Sequence, residues 1–360
     1  MSGSAASITG ESHGGFDAPV FDPFDVERVR ARLTQFLRLN ADAKADVGAL
    51  RRYTVGFSWV TFGFELTIEG KVQNLILRVG PPNGIFSPYK ASPESITLQQ
   101  LAGSGVPVPG IHWFSDASDT FGAPFFICDL VPGNVPIPWT ADGGDAFGAD
   151  ERVEIGEQFL GTLASLHIFD WRGKLETAVE GVTDTGRTAH SQIDYWVGRM
   201  HQWSERRFPM LEWAAIWFRE NAPVAPRISV VHGDYRIGNF LEHKGRITSI
   251  LDWELVHLGD PLEDLGWICL QAWRGRSPYM CHLFTREELY ERYEALTGIH
   301  LDAAAVRYWE AFGTFKLAVM HLGATHCYEA RGFNDLRMAG MGAQMPRMLL
   351  QLETALERAA

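Results

Sequence analysis

The sequence predicts an α+β protein of two lobes, a small antiparallel β-sheet lobe followed by a larger, mainly helical one. Three observations predict it. The segments Arg52–Phe57, Gly63–Glu69 and Gln73–Val79 alternate in polarity or carry β-branched and aromatic residues, as strands of a meander do. From Arg152 onward apolar residues recur at helical intervals, as in Ile155, Phe159, Leu163 and Leu166. The pattern changes near Cys128–Gly133, where Val131-Pro132-Gly133 breaks the last strand. With 360 residues, 46% of them hydrophobic and 21% charged, the chain is long enough for a two-lobed molecule with a large core.

The elements follow in order. Residues 1–22 are Gly/Ser-rich and weakly apolar, which predicts a mobile tail. Residues 23–130 then make the first lobe and 131–360 the second. Asp25–Leu39 reads as an amphipathic helix, with Val26, Val29, Leu33, Phe36 and Leu37 on one face. Glu69-Gly70-Lys71 is a tight turn between two strands. Ser92-Pro93-Glu94 predicts a helix start with Ser at N-cap and Pro at N1, ending near Ala102 before Gly103 and Gly105. Val106-Pro107-Val108-Pro109 leads into the strand Ile111–Phe114, and Pro124–Leu130 is another. In the second lobe Arg152–His167 is a long helix, and Asp194–Arg219 contains at least one Trp-rich helix. His243-Lys244-Gly245 turns a hairpin. Asp260-Pro261-Leu262-Glu263 predicts a helix start with Asp at N-cap, Pro at N1 and Glu at N3. The helices Arg286–Thr297, Ala303–His321 and Met341–Arg358 complete the chain, and no internal repeat is visible.

Composition excludes some functions. Against 32 Lys+Arg stand 44 Asp+Glu, a net charge of −12, which argues against nucleic acid or an anionic membrane surface as partner. Such charge also serves solubility. The four cysteines, Cys128, Cys269, Cys281 and Cys327, are scattered and form no C-x-x-C, so neither a disulfide framework nor a cysteine-based metal site is expected, and the setting is reducing and cytoplasmic. The stretch Met1–Ser7 has no basic or apolar region of a signal peptide. No apolar run approaches the roughly 18 residues of a membrane span.

Chemistry concentrates in Val230-Val231-His232-Gly233-Asp234-Tyr235-Arg236-Ile237-Gly238-Asn239-Phe240, followed by Ile250-Leu251-Asp252-Trp253-Glu254. An apolar pair enters a loop that presents His, Asp and then Asn. A second Asp ends the next apolar run. Phosphoryl transfer from a nucleotide needs this set: one carboxylate to orient and deprotonate a hydroxyl, here Asp234, and a carboxamide and a second carboxylate to hold Mg²⁺, here Asn239 and Asp252. Taken singly, Asp234 would cap a loop, Asn239 would be a turn residue and Asp252 would cap a strand end. The ordered series gives them a joint purpose.

At these residues the chain resembles the aminoglycoside-phosphotransferase, or choline-kinase-like, superfamily of the protein-kinase fold, and most nearly the kinase-like proteins related to the N-terminal domain of some acyl-CoA dehydrogenases. The resemblance rests on Leu77-Arg78-Val79-Gly80-Pro81-Pro82, Val106–Pro109, Gly122–Gly133, Leu166-His167-x-x-Asp170-Trp171, His232–Asn239, Leu251–Glu254 and Leu258-Gly259-Asp260-Pro261-x-x-Asp264-Leu265. Order and spacing match across roughly residues 25–355.

The resemblance implies roles. His232 braces the catalytic loop without moving the proton, and Asp264 does so from the following helix. Arg78 stands where kinases carry the Lys that meets the α/β-phosphates, with Glu94 as its partner; the alternative for Glu94 is a plain first-turn acid. In the phosphate loop only Gly56 and Ser58 fit the family pattern, and Phe57 and Trp59 replace smaller residues. Backbone N–H groups and the Ser58 hydroxyl would cover the phosphates. The purine would be held by the Asp129 carbonyl and the Val131 N–H, with Cys128 lining the back wall. Arg236 reaches an anionic substrate group or pairs with an acid. Glu254 approaches the metal or the substrate hydroxyl, or makes a surface salt bridge. Trp196, Trp203, Trp213, Trp217, Trp267 and Trp273 fall in the substrate region, although aromatic residues at helical spacing more often form core.

The implied activity is transfer of the γ-phosphate of ATP, or GTP, to a hydroxyl of a small molecule. Arg199, Arg206 and Arg207, with few acids among them, favour a hydroxyacyl, lipid-like or aromatic acceptor over a polycation. An aminoglycoside- or macrolide-type antibiotic kinase is one alternative. A pseudokinase acting as a binding protein, suggested by the bulky phosphate loop, is another. The oligomeric state is not encoded in any pattern seen here.

Overall fold

The computed structural model describes residues 22–54, 56, 58–81, 83–138, 144–330 and 335–360, with only the backbone of Ala330. The expectation of a mobile tail lies almost wholly outside these residues, as do Val55, Phe57 and Pro82.

The first helix, α1 (Val26–Asn40), starts where Asp25 accepts a hydrogen bond from Arg28 N–H. It buries Val29, Leu33 and Leu37 against the sheet, each contributing about 1.5–3 kcal/mol of apolar burial. The sheet comprises β1 (Asp46–Val47), β2 (Arg51–Tyr53), β3 (Val60–Ile68), β4 (Lys71–Val79), β5 (Ile111–Ser115) and β6 (Phe125–Asp129). Its order is β1-β3-β4-β6-β5, with β2 also on β3, and every pair is antiparallel. Glu69 and Gly70 both take positive φ, 49° and 78°, the geometry a two-residue hairpin turn requires. Two strands differ from expectation: β2 ends at Tyr53, well before Phe57, and the short β1 carries too few residues to show a period.

Helix α2 (Ser92–Leu101) corrects another expectation. Ser92 is not its cap. Asp116, at the end of β5, accepts from the N–H groups of Ala91 at 2.6 Å and Ser92 at 3.0 Å, and from the Ser92 hydroxyl. A carboxylate from a distant strand thus satisfies the orphan donors and suits the positive end of the helix.

The helical lobe follows: α3 (Ala149–Ile168), α4 (Thr188–Trp203), α5 (Pro209–Glu220), α6 (Leu262–Ile268), α7 (Arg286–Thr297), α8 (Ala303–Ala330), α9 (Leu336–Ala343) and α10 (Met345–Ala359). Between α5 and α6 lie β7 (Ser229–Val231), β8 (Phe240–His243), β9 (Arg246–Ile250) and β10 (His257–Gly259). They pair as the hairpin β8–β9, turned at Lys244 and Gly245, and as β7–β10. The expected Ala303–His321 helix runs further, to Ala330, because apolar residues occupy nearly its whole circumference. The expected Met341–Arg358 helix is two helices meeting at Gln344, ahead of Pro346.

At α6 the predicted capping box does not form. Asp260 accepts from Leu262 N–H at 2.9 Å, but Glu263 does not reach back. It is buried and bonds Lys316 and His257, both at 3.1 Å. A buried cation captured the carboxylate that local sequence assigned to a cap.

Candidate functional site

Two short β-pairs carry the site. β7 delivers His232 and Gly233 into a loop, and Asp252 lies two residues beyond the end of β9. Gly233 has φ 80°, and a Cβ there would meet the Leu255 carbonyl oxygen at 2.7 Å, so only glycine lets the loop pass so close to the turn at Leu255.

Asp234 lies at the centre. Trp267 Nε1–H donates to its Oδ1 at 2.7 Å and Arg236 Nε–H donates to the same oxygen at 2.9 Å. Asn239 Nδ2–H donates to Oδ2 at 2.5 Å and to the Asp234 carbonyl at 2.9 Å. With its amide nitrogen so committed, Asn239 has Oδ1 left to meet a cation. Arg236 also donates to the Ile237 carbonyl and lies over the Trp273 ring, 4.3 Å from its centroid. Of the two roles open to Arg236, the structure shows the pairing with an acid, and the acid is Asp234.

His232 is fully buried. Its Nδ1 accepts from Asp234 N–H at 3.1 Å and its Nε2–H donates to the Leu251 carbonyl at 2.9 Å. Both ring nitrogens are used, and burial lowers its pKa despite Asp264 and Asp234 nearby. It therefore ties the Asp234 loop to the strand end at Asp252. Asp264 accepts from His232 N–H at 2.8 Å, from Gly233 N–H at 2.9 Å and from His167 Nε2 at 3.1 Å. Burial works to raise its pKa, yet the His167 bond and the neighbouring histidines hold it below the usual carboxylate range. The histidine and this carboxylate both hydrogen-bond the backbone of the Asp234 loop.

Asp252 adopts φ 59°, a left-handed conformation that costs a non-glycine residue of order 1–3 kcal/mol. Its Oδ1 accepts from Arg78 Nη2 at 3.3 Å, and Arg78 Nη1 pairs with Glu94 at 2.9 Å. The Arg78–Glu94 pair is buried and links β4 to α2. Burial raises the Glu94 pKa, with Arg78 opposing. Glu254 stands beside Asp252, Arg78 and Ser58. Burial pushes its pKa up to about 8, the Asp252 charge adds, and Ser58 and Arg78 oppose. It forms no salt bridge among the described residues, so the surface pairing is not seen.

The nucleotide side differs from its expected form. Gly56 is exposed, with open space where a Cβ would stand. Ser58 is buried and its hydroxyl bonds Tyr89 at 3.2 Å; it does not line an open loop. Trp59 packs edge-on against Tyr89 and Phe126, at centroid distances of 5.1 and 5.3 Å. The Arg78 guanidinium lies 5.8 Å from the Trp59 ring centroid. Cys128 joins this cluster, and burial pushes its thiol up to about 12. Asp129 accepts through its side chain from Gly110 N–H at 3.0 Å and His112 at 2.7 Å. Val131 N–H has no partner among the described residues.

Some functional neighbours carried no signal of their own in the sequence. Trp267, read there only as one of many tryptophans, donates to Asp234. Lys316 donates to the Gly233 carbonyl at 2.6 Å and to Glu263 at 3.1 Å, beneath the Asp234 loop. A lone Lys within Phe315-Lys316-Leu317 was the available hint. Trp196, Trp203, Trp267 and Trp273 are core, whereas Trp213 is 52% exposed.

Asn239 and Asp252 offer a neutral carbonyl and a carboxylate, hard oxygen donors suited to Mg²⁺. Among the described residues no cluster of three or more His, Cys, Asp or Glu could hold a metal by itself. Two protein donors fit a cation that completes its shell with phosphate and water oxygens.

Known proteins resemble this chain in sequence and in fold. Over 321 residues the chain is 26% identical to acyl-CoA dehydrogenase family member 11 of Mus musculus, covering 85% of this chain and 40% of that protein. It is 27% identical over 201 residues to family member 10 of the same organism, covering 55% of this chain and 18% of that one. The chain therefore spans well under half the length of these relatives. Its fold matches a candidate aminoglycoside phosphotransferase from Ralstonia eutropha, 22% identical, with TM-score 0.69 over 91% of this chain and 98% of that one. It also matches aminoglycoside phosphotransferase APH(4)-Ia, solved with AMP-PNP and hygromycin B, at 16% identity and TM-score 0.53, over 91% and 99%. No described helix is long and apolar enough to cross a membrane. The "Phosphotransferase enzyme family" matches residues 63–313, most of the sheet together with the Asp234 loop, His232 and Asp264, and the chain belongs to that family.

Proposed function

We propose that the chain is a small-molecule kinase that transfers the γ-phosphate of ATP or GTP to a hydroxyl. The observation that carries the reading is the cage around Asp234. Three donors, from Trp267, Arg236 and Asn239, fix both carboxylate oxygens beside the Asn239–Asp252 pair.

In this reading Asp234 accepts the proton of the acceptor hydroxyl and aims its oxygen in line. The transition state of phosphoryl transfer is loose, so such positioning accounts for much of the rate. Asn239 Oδ1 and the Asp252 carboxylate would hold Mg²⁺, which would supply charge neutralisation on the phosphates. Arg78, anchored by Glu94, offers a planar fork to the phosphates in place of a Lys point charge; to do so it exchanges its contact with Asp252 for the nucleotide. Gly56 and the Val131 N–H bound the nucleotide, the Asp129 carbonyl meets the base, and Cys128 backs it. Ser58 and Glu254 close the phosphate end. A neutral hydroxyacyl, lipid-like or aromatic metabolite is the favoured acceptor, with an antibiotic of the hygromycin or macrolide kind as the alternative.

Burial of Ser58 and Trp59 and the Arg78–Asp252 contact favour a second reading, a nucleotide-free binding protein. Thermal melting with Mg·ATP and Mg·GTP separates the two. The kinase reading expects a rise in Tm, because binding to the native state alone must stabilise it. It also expects ADP or GDP release with at least one member of a panel of hydroxylated metabolites. No rise at millimolar nucleotide would reject it.

A further inference from the structure

The helical lobe contains a second concave site of about 620 Å³, a volume within the range of ligand pockets. It lies against the turn that carries Trp273, but Trp273 does not line it. One face of α8, one face of α10, the turn from Leu270 to Arg274 and the start of α7 enclose it. On α10 the lining residues Arg347, Leu350 and Arg358 fall at helical spacing. They lie apart from the stripe Met345, Met348, Leu352 and Leu356 that packs into the core. Of this face of α10, Ala355 packs on the core, while Arg347, Leu350 and Arg358 do not belong to the buried stripe.

Its charge runs against the rest of the chain. Arg274, Arg286, Arg307, Arg347 and Arg358 converge with one carboxylate, Glu310, in a protein of net charge −12. Glu310 is committed to Arg286 at 2.9 Å. The other four guanidinium groups have no ion-pair partner among the described residues. Arg274 Nε is buried without a hydrogen-bond partner, an arrangement that costs free energy unless a ligand meets it. Burial lowers the Arg274 pKa; Glu310 opposes this, while Arg286 and Arg358 add to it. Beside these cations Leu350 is 64% exposed, and Leu317 lines the floor.

We propose that this pocket binds an organic anion bearing at least two negative charges on a partly apolar body. Guanidinium forks suit phosphate and carboxylate oxygens, and Leu317 and Leu350 receive the apolar part. The proposal does not depend on phosphoryl transfer, so it stands or falls by binding alone.

Calorimetric titration without Mg²⁺ or nucleotide tests it, with 1-naphthyl phosphate, 1-naphthol and inorganic phosphate as probes. The expected result is saturable binding of 1-naphthyl phosphate, about tenfold or more tighter than either of the others. Arg307→Glu with Arg358→Glu should lower that affinity about tenfold or more, since repulsion replaces attraction. The milder Arg307→Gln with Arg358→Gln should weaken it in the same sense. Both pairs are exposed positions, so Tm without ligand and stabilisation by Mg·ATP should match the unaltered protein. Absence of binding, equal binding of 1-naphthol, or undiminished affinity in folded variants would overturn the proposal.

Discussion

Trp267 Nε1–H donates to Asp234 Oδ1 at 2.7 Å, from a helix 33 residues downstream. The indole is itself held from behind: the Lys316 ammonium lies 4.7 Å from its ring centroid, and the ring packs against Trp273. A rigid, buried donor thus fixes the carboxylate that the proposed reaction uses as its base. Trp267→Phe removes this bond and keeps an aromatic ring in the site, at the cost of part of the packing against Trp273 and Lys316. We expect kcat to fall about tenfold, the value of one hydrogen bond to a charged group, with KM for the nucleotide unchanged. Steady-state kinetics check it, and an equal change in both parameters would point to a general loss of structure.

Asp234→Ala tests the base itself. General base catalysis contributes on the order of 10²–10⁴ in rate, so kcat should drop by that factor. Stabilisation by Mg·ATP should persist, because Asn239, Asp252 and Arg78 remain. An unchanged rate would reject Asp234 as the base.

Lys316 and Glu263 form a buried ion pair at 3.1 Å, with both side chains at most 4% exposed. Lys316→Met leaves the buried Glu263 charge with His257 as its remaining partner and should cost up to about 3–5 kcal/mol in urea unfolding. The double variant Lys316→Met with Glu263→Met should recover much of that loss, since neither charge is then stranded. If the double variant is no more stable than the single, the pair is not the source of the effect.

Asp260 should make stability depend on pH. Burial pushes its carboxyl up to about 7, against hydrogen bonds from Leu262 N–H and the Trp309 indole. In the unfolded chain an Asp titrates near ~3.9. The folded state holds the proton more tightly, so the contribution of this group is fully present below about pH 4 and is lost as pH rises towards 7. The loss is on the order of 4 kcal/mol at most. Unfolding free energies measured across pH 4–7.5 should decline by less in Asp260→Asn than in the unaltered protein. Parallel profiles would refute the assignment.

Much of the fold was legible because its signals are local. The hairpin turns at Glu69-Gly70 and Lys244-Gly245 need only the φ preferences of two residues. Helix α7 matches its expected bounds, Arg286–Thr297, since Thr285 and Glu288 make a capping box within one turn. The failures are equally physical. Ser92 and Glu263 fit local capping patterns, but Asp116 and Lys316 offered stronger partners from distant segments. The Arg78–Glu94 pair was legible only through the resemblance. Its contact with Asp252, 174 residues away, was not legible at all.

By itself the sequence determined the two-lobed α+β architecture, the family, and the ordered series His232, Asp234, Asn239 and Asp252 on which the proposed chemistry rests. These depend on residue types at fixed short spacing, which backbone geometry converts directly into position. Only the tertiary structure decided which donors grip Asp234, that Arg236 serves that carboxylate, that Trp59 and Ser58 are buried against Tyr89, and that five arginines from four elements share one pocket. Such contacts join segments tens to hundreds of residues apart, and packing of the whole core, with no local pattern to announce it, sets them.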